Sequence, residues 1–439
     1  MHKQQSNGLI RGIIAVSALA LVLTSCGRRE EILSGERETI RPEQELLEEF
    51  DNLPSVRVTE PRLNENWSHR NGNSAHSIRH PAFTGPATRV WSLDIGKGNS
   101  RRTRLTAEPI IVGERIFVMD AIGMVSAVST SGQLLWQADL RPERDAKDDI
   151  SGGGIAFGDG RLFVTTGYGD LVALDPTNGS EFWRQRFQAG LTAAPVVSGK
   201  TVIAVSVGNE ALGLNTQNGR IRWRQVSGGS NTAVAGGGTP AISGRIAIIA
   251  YPSGEVSALT VTQGIRVWSS AVTGSRLGLA RGIFAPISGD PVVSGNTLYA
   301  ANQSGQLASI SLRSGDRIWT ANEGSYSPVW VTDNSVFIVT DQARLKRLNR
   351  STGGVLWSQD LPDKPNRRRV RSVYAHFGPV LAGGVLYVAS SDGQMRSFNA
   401  NNGAPIGVVD LGGGAATHMA FAAGRMYIVT DNGQLVAFQ

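Results

Sequence analysis

Short apolar runs alternate with clusters of Gly, Ser and Asn through most of this chain. Between Pro291 and Trp319, Pro-Val-Val-Ser-Gly leads towards Thr297-Leu-Tyr-Ala-Ala, Asn-Gln-Ser-Gly precedes Gln306-Leu-Ala-Ser-Ile-Ser-Leu, and Arg-Ser-Gly precedes Arg317-Ile-Trp. Brief β-rich runs bounded by turn formers predict four strands of an antiparallel meander.

The meander recurs. Gly is followed four residues later by Trp at Gly132/Trp136, Gly179/Trp183, Gly219/Trp223, Gly264/Trp268, Gly315/Trp319 and Gly353/Trp357, and Gly403/Gly407 keeps the spacing without the indole. Steps between copies run from 38 residues (Gly315 to Gly353) to 51 (Gly264 to Gly315). A second signal, Gly-x-[Leu/Val/Met]-x-[Ala/Ser], starts at Gly169, Gly254, Gly305, Gly393 and Gly433, with a close relative at Gly123 and degenerate copies at 209–213 and 343–347. That makes eight units. A Pro opens the first apolar run of most units (Pro109, Pro195, Pro240, Pro291, Pro328, Pro379), always 27 to 29 residues before the Trp or Gly407, so length varies only between units.

Four strands in each repeat of this length make one propeller blade. The last unit, 418–439, supplies only three strands, whereas Arg89-Val-Trp91-Ser-Leu-Asp is an isolated fourth strand with no unit before it. Pairing the two leaves no open sheet edge in the ring. The predicted fold is therefore all-β: an eight-bladed β-propeller of four-stranded antiparallel blades, the last closed by an N-terminal strand. With 41% hydrophobic and 18% charged residues in 439, and 53 Gly for the turns, the composition suits one closed ring rather than two or three domains.

The N-terminus obeys different rules. Lys3 and Arg11 flank an uncharged run from Gly12 to Leu23, too short to span a bilayer as a helix and of the length of a signal peptide. Leu23-Thr24-Ser25-Cys26 follows and resembles the bacterial lipobox, in which the Cys is acylated and becomes the mature N-terminus. Cys26 is the sole cysteine, so it has no disulfide partner within the chain. Gly27 stands where inner-membrane lipoproteins would usually carry Asp, so the resemblance implies the outer membrane. The expected organisation is a signal peptide over 1–25, a lipidated N-terminus and acidic tether over 26–66, and the propeller over 67–439. Residues 28–66 hold 11 acidic and 6 basic residues, a net −5. The propeller holds 35 basic and 25 acidic, a net +10, which favours an acidic partner or an anionic lipid face. Export rules out nucleic acid.

In an up-and-down blade, the blade-to-blade connections share a face with the second-to-third turns. These connections are the variable ones: 141–152 is charged, 227–238 Gly-rich, 273–289 long and partly apolar, and 361–377 contains Arg367-Arg-Arg-Val-Arg371. Another basic run, Arg101-Arg102-Thr-Arg104, lies in the connection after Trp91. Variable loops on a rigid scaffold are where binding concentrates.

The repeats, the lipobox and the length together resemble the BamB family, propeller lipoproteins of the machinery that folds β-barrels into the Gram-negative outer membrane. Ala173-Leu-Asp-Pro-Thr-Asn-Gly-Ser-Glu-Phe-Trp183 is the clearest of its pyrroloquinoline-quinone-type blade repeats. The resemblance implies a non-catalytic scaffold that binds the periplasmic POTRA domains of BamA and other BAM subunits and aids insertion of unfolded outer-membrane proteins. It also implies that the loops joining blades three to four and four to five make the contact, placing Val234 and Ala235 on the first, and Pro286 and Ser288 on the second. The charged residues of the family pattern are missing there, which makes Arg281, Phe284 and Asp290 the candidate substitutes, with Phe284 and Arg281 as anchors. The alternatives are a quinoprotein-like dehydrogenase on the same fold and a propeller binding another envelope component. The first would require Ca²⁺ ligands round the channel and, in many members, a Cys pair. No Cys pair exists, and His2, His69, His76, His80, His376 and His418 show no metal-ligand spacing, so no catalytic residue, metal or cofactor is expected. His69, His76 and His80 read as part of a polar segment packed on the ring.

Overall fold

The structure, a computed structural model, describes residues 53–439 except 79, 143–151, 192, 229–237, 273–286, 288, 304 and 365–372. The signal sequence, Cys26 and most of the acidic tether lie outside the described residues.

Eight four-stranded antiparallel sheets form the predicted eight-bladed propeller. Blade 1 spans Ile110–Asp139, blade 2 Gly153–Arg186, blade 3 Val196–Val226 and blade 4 Ala241–Ala271. Blade 5 spans Val292–Ala321, blade 6 Trp330–Asp360 and blade 7 His376–Asp410. Blade 8 combines Ala420–Phe438 with Arg89–Asp94, which pairs antiparallel with Gln434–Phe438 as the fourth strand. The first three strands of a blade are largely buried because neighbouring blades cover both faces, and the outer strands alternate towards solvent. The core consequently lies between blades rather than within them.

The repeated Trp is the seam between blades. In blade 1, Phe117, Ala127 and Trp136 lie in one cross-strand row, and a bulge beside the Trp re-aims the outer strand. The indole reaches the third-to-fourth turn of blade 2, donating from Nε1 to the Pro176 carbonyl at 3.2 Å. Gly179 of that turn has φ +76°, and a Cβ on it would sit 2.6 Å from the Trp136 ring, so glycine is required twice over. The same Nε1 bond runs from Trp91 to Thr130, Trp183 to Thr216, Trp223 to Val261, Trp268 to Leu312, Trp319 to Arg350 and Trp357 to Ala400. Seven indoles thus latch seven of the eight seams.

The eighth seam explains Gly407. A Trp there would need the third-to-fourth turn of blade 8, but in that blade those strands come from opposite ends of the chain. Thr88 and Gln439 are joined only by two backbone hydrogen bonds of 2.8 and 2.9 Å. With no Gly turn to cover, the indole has no receptor. Phe83 helps fill the seam instead, with ring centroids 5.5 Å from Tyr387 of blade 7 and 5.3 Å from Phe421 of blade 8.

Candidate functional site

Each blade's first strand turns an unpaired edge to the axis, and its buried N–H groups need acceptors. A segment with no repeat, residues 54–83, supplies them in blades 1 to 5 and bonds to the exposed first-to-second turns of blades 6 to 8. Trp67 exchanges backbone bonds with Ile111 of blade 1 at 2.8 and 2.9 Å, and Ser68 O accepts from Phe157 of blade 2 at 2.8 Å. His69 Nε2 accepts the Val197 N–H of blade 3 at 3.2 Å, Ser74 O that of Ile242 in blade 4, and Ala75 O that of Val293 in blade 5. Arg57 O accepts from Asp333 of blade 6, Pro81 O from Gly383 of blade 7, and Asn64 O from Ala423 of blade 8. The segment bonds to all eight blades.

This moves the start of the folded body. Residues 54–66, read from composition as tether, are held on the ring. Their entry is clasped by Arg347, which is fully buried at the row position that blades 1 and 2 give to Ala127 and Ala173. Its guanidinium donates to Pro54 O at 2.6 Å, Asn401 O at 3.0 Å and Ser335 Oγ at 2.9 Å, and burial lowers its pKa to about 10. The histidine segment does pack on the ring as expected, with His69, His76 and His80 all buried.

At the centre of the segment, Arg70 Nε bridges Glu108 of blade 1 at 3.0 Å and Asp290, just before blade 5, at 2.7 Å, all three buried. Burial alone would raise the Glu108 carboxyl, but His418 and Arg70 outweigh it and hold it at about 2. His418 Nδ1 lies 2.7 Å from Glu108 and its Nε2 3.0 Å from Ser327 Oγ, the order of a Ser-His-Glu catalytic triad. The hydroxyl also lies 3.2 Å from the His376 carbonyl, which competes with His418 Nε2 for its single proton. The adjacent cavity, lined by Trp67, His76, Trp330 and His418, holds about 20 Å³. That is room for one water and far below the several hundred Å³ of a cofactor or substrate pocket. The relay ties blades 1, 6 and 8 together. Among the described residues, no group of three or more His, Cys, Asp or Glu is arranged to hold a metal ion.

Buried neutral histidines make this centre acid-sensitive. Burial, then the neighbouring His76, lowers His69 to about 3, and burial also lowers His76 and His376. A histidine depressed in the fold leaves stability intact above its unfolded value of 6.5, and stability is lost as pH falls from there towards the folded value. Glu108, by contrast, contributes loss only below its ordinary 4.5. Resistance to urea is therefore expected to fall as pH drops from 6.5 to 4.5, with His69 contributing on the order of 1 kcal/mol per pH unit. His69→Gln should flatten the slope by that amount; an unchanged slope would clear His69 of the effect.

Of the residues predicted to meet a partner, Val234, Ala235, Arg281, Phe284 and Ser288 lie outside the described residues, as do Pro286 and Arg367–Arg371. Asp290 is described, and its place differs from the expected exposed contact. It is 2% exposed, and besides Arg70 it accepts from Asn71 Nδ2 and the Thr239 N–H, each at 2.7 Å. Thr239 closes the connection from blade 3 to blade 4 and Asp290 that from blade 4 to blade 5, so one buried carboxylate roots both. Sequence reasoning missed Arg70, Glu108 and Asn71, which stand in no repeat and no motif.

Fold and site together define an eight-bladed propeller whose centre is filled by part of its own N-terminal segment. The chain belongs to the family of the outer membrane protein assembly factor BamB, whose profile matches residues 121–359 and 341–439. It is 25% identical over 359 residues to BamB of Moranella endobia, covering 80% of this chain and 89% of that one, and 26% identical over 322 residues to BamB of Yersinia pestis, covering 72% and 79%. An uncharacterised protein of Rickettsia conorii is 28% identical over 312 residues, 69% of this chain and 74% of the relative. Among solved structures, BamB from Moraxella catarrhalis superposes with a TM-score of 0.66 at 23% identity, covering 81% of this chain and 98% of that one. Quinohemoprotein alcohol dehydrogenase from Comamonas testosteroni gives 0.64 at 13%, covering 85% and 80%. At these identities both likenesses show the fold alone.

Proposed function

We propose that this chain is a non-catalytic scaffold of the outer-membrane β-barrel assembly machinery, held at the outer membrane through acylated Cys26 and facing the periplasm. Its connections 227–238 and 273–290 bind the periplasmic POTRA domains of BamA, alongside other BAM subunits, and aid insertion of outer-membrane proteins. Family membership supports the setting. The observation that supports the contact face is the meeting of the two connections' returning ends, where Asp290 accepts the Thr239 N–H. Trp67, His69, Arg70 and His76 are buried at the centre of the ring with about 20 Å³ beside them, which supports this over a quinone enzyme at that centre; the wider cleft of about 620 Å³ lies between residues 58–80 and blades 4 to 6.

Interfaces concentrate energy in a few aliphatic, aromatic and Arg anchors. The double variant Arg281→Glu/Val234→Asp, folded by circular dichroism, is expected to lose at least tenfold in capture of purified BamA periplasmic domains, the ratio for about 1.4 kcal/mol. Undiminished capture by the folded variant would overturn this contact face.

A further inference from the structure

Four roots carry the connections 227–238 and 273–290, and they are built differently. The first connection leaves at Ser227, whose Oγ donates to Glu255 of blade 4 at 2.5 Å, and the second leaves at Val272, whose carbonyl accepts from Asn302 of blade 5 at 3.1 Å. Those roots are fixed by neighbouring blades. The returning ends meet each other: Asp290 Oδ1 accepts the Thr239 N–H, with Thr239 fully buried. Asp290 Oδ2 is held by the axial segment, through Arg70 Nε and Asn71 Nδ2, while Ile287 of the same returning end bridges Asn302 of blade 5.

We infer that the axial segment positions the two connections for their partner, with Arg70 and Asn71 as positioning residues that act through Asp290. The inference rests on the proposed contact face. Asn71 is held for the task in two further ways: its own N–H donates to Glu108 at 3.1 Å, and its φ of +56° is a left-handed conformation that Asn tolerates better than most residues. A charge-assisted bond from the segment to Asp290 Oδ2 orients the carboxylate, so that Oδ1 faces Thr239. Because the segment also bonds to all eight blades, the loop roots are referred to the whole ring rather than to blades 4 and 5 alone. The segment that continues from the N-terminal tether is thus in direct contact with the base of the partner face.

The test is Asn71→Gly, which removes the amide without straining the left-handed backbone, against Asn64→Ser, which removes a bond of the same segment to Phe421 of blade 8. In the full-length protein, amide exchange at residues 238–242 and 289–292 is expected to quicken about fivefold in Asn71→Gly, as one lost hydrogen bond implies, and to match wild type in Asn64→Ser. Capture of the BamA domains should weaken in Asn71→Gly alone, at equal thermal stability of the two variants. Equal exchange at these roots in both variants would overturn the coupling. Quickened exchange with undiminished capture would uphold the coupling and overturn the contact face instead.

Discussion

Deleting residues 83–95 is expected to cause aggregation or proteolysis of the protein. The deletion removes the outer strand of blade 8 and leaves the edge of Gln434–Phe438, hydrophobic and newly unpaired, open to other chains. It also removes Phe83 from the one seam without an indole latch, and Trp91, whose Nε1 holds blade 8 to Thr130 of blade 1. Two adjacent seams would weaken in a ring whose closure depends on each. Size-exclusion chromatography and limited proteolysis read the result, and a monomeric, protease-resistant deletion variant would refute the closure.

The next largest effect is expected at Arg70. Arg70→Met leaves Glu108 and Asp290 buried without their shared cation, and breaking such a pair on one side costs about 3–5 kcal/mol. Neutralising the partners as well should recover most of it, since the cost is that of stranded charge rather than of a lost attraction. Urea denaturation of Arg70→Met and of Arg70→Met/Glu108→Gln/Asp290→Asn decides the matter. A single variant within 1 kcal/mol of wild type, or a triple variant no better than the single, would show that the cluster does not hold the axis.

The candidate site was less legible than the ring. Val234 and Arg281 follow from position in a family-like loop, but Asp290, grouped with them on the same ground, is a buried root. Its spacing from Arg70 is 220 residues along the chain, and nothing local distinguishes a carboxylate that meets a partner from one that meets an internal guanidinium. The axial segment was legible only as a polar histidine segment packed on the ring. It bonds through irregular backbone and single Asn, His and Arg side chains, with one or two contacts per blade, so it carries no period to detect.

The chain read without its fold yields the number of blades, the strands in each, the recurring Trp and the borrowed strand that closes the ring. These are consequences of local periodicity: alternation sets strands, glycine sets turns, and a Trp at fixed spacing meets the same neighbour in every unit. Tertiary structure alone decided what lies on the axis and why one indole is missing. Both depend on where the two ends of the chain arrive, Thr88 beside Gln439 and Arg70 between Glu108 and Asp290. Contacts between residues hundreds of positions apart obey the geometry of the closed ring, and no local pattern encodes them.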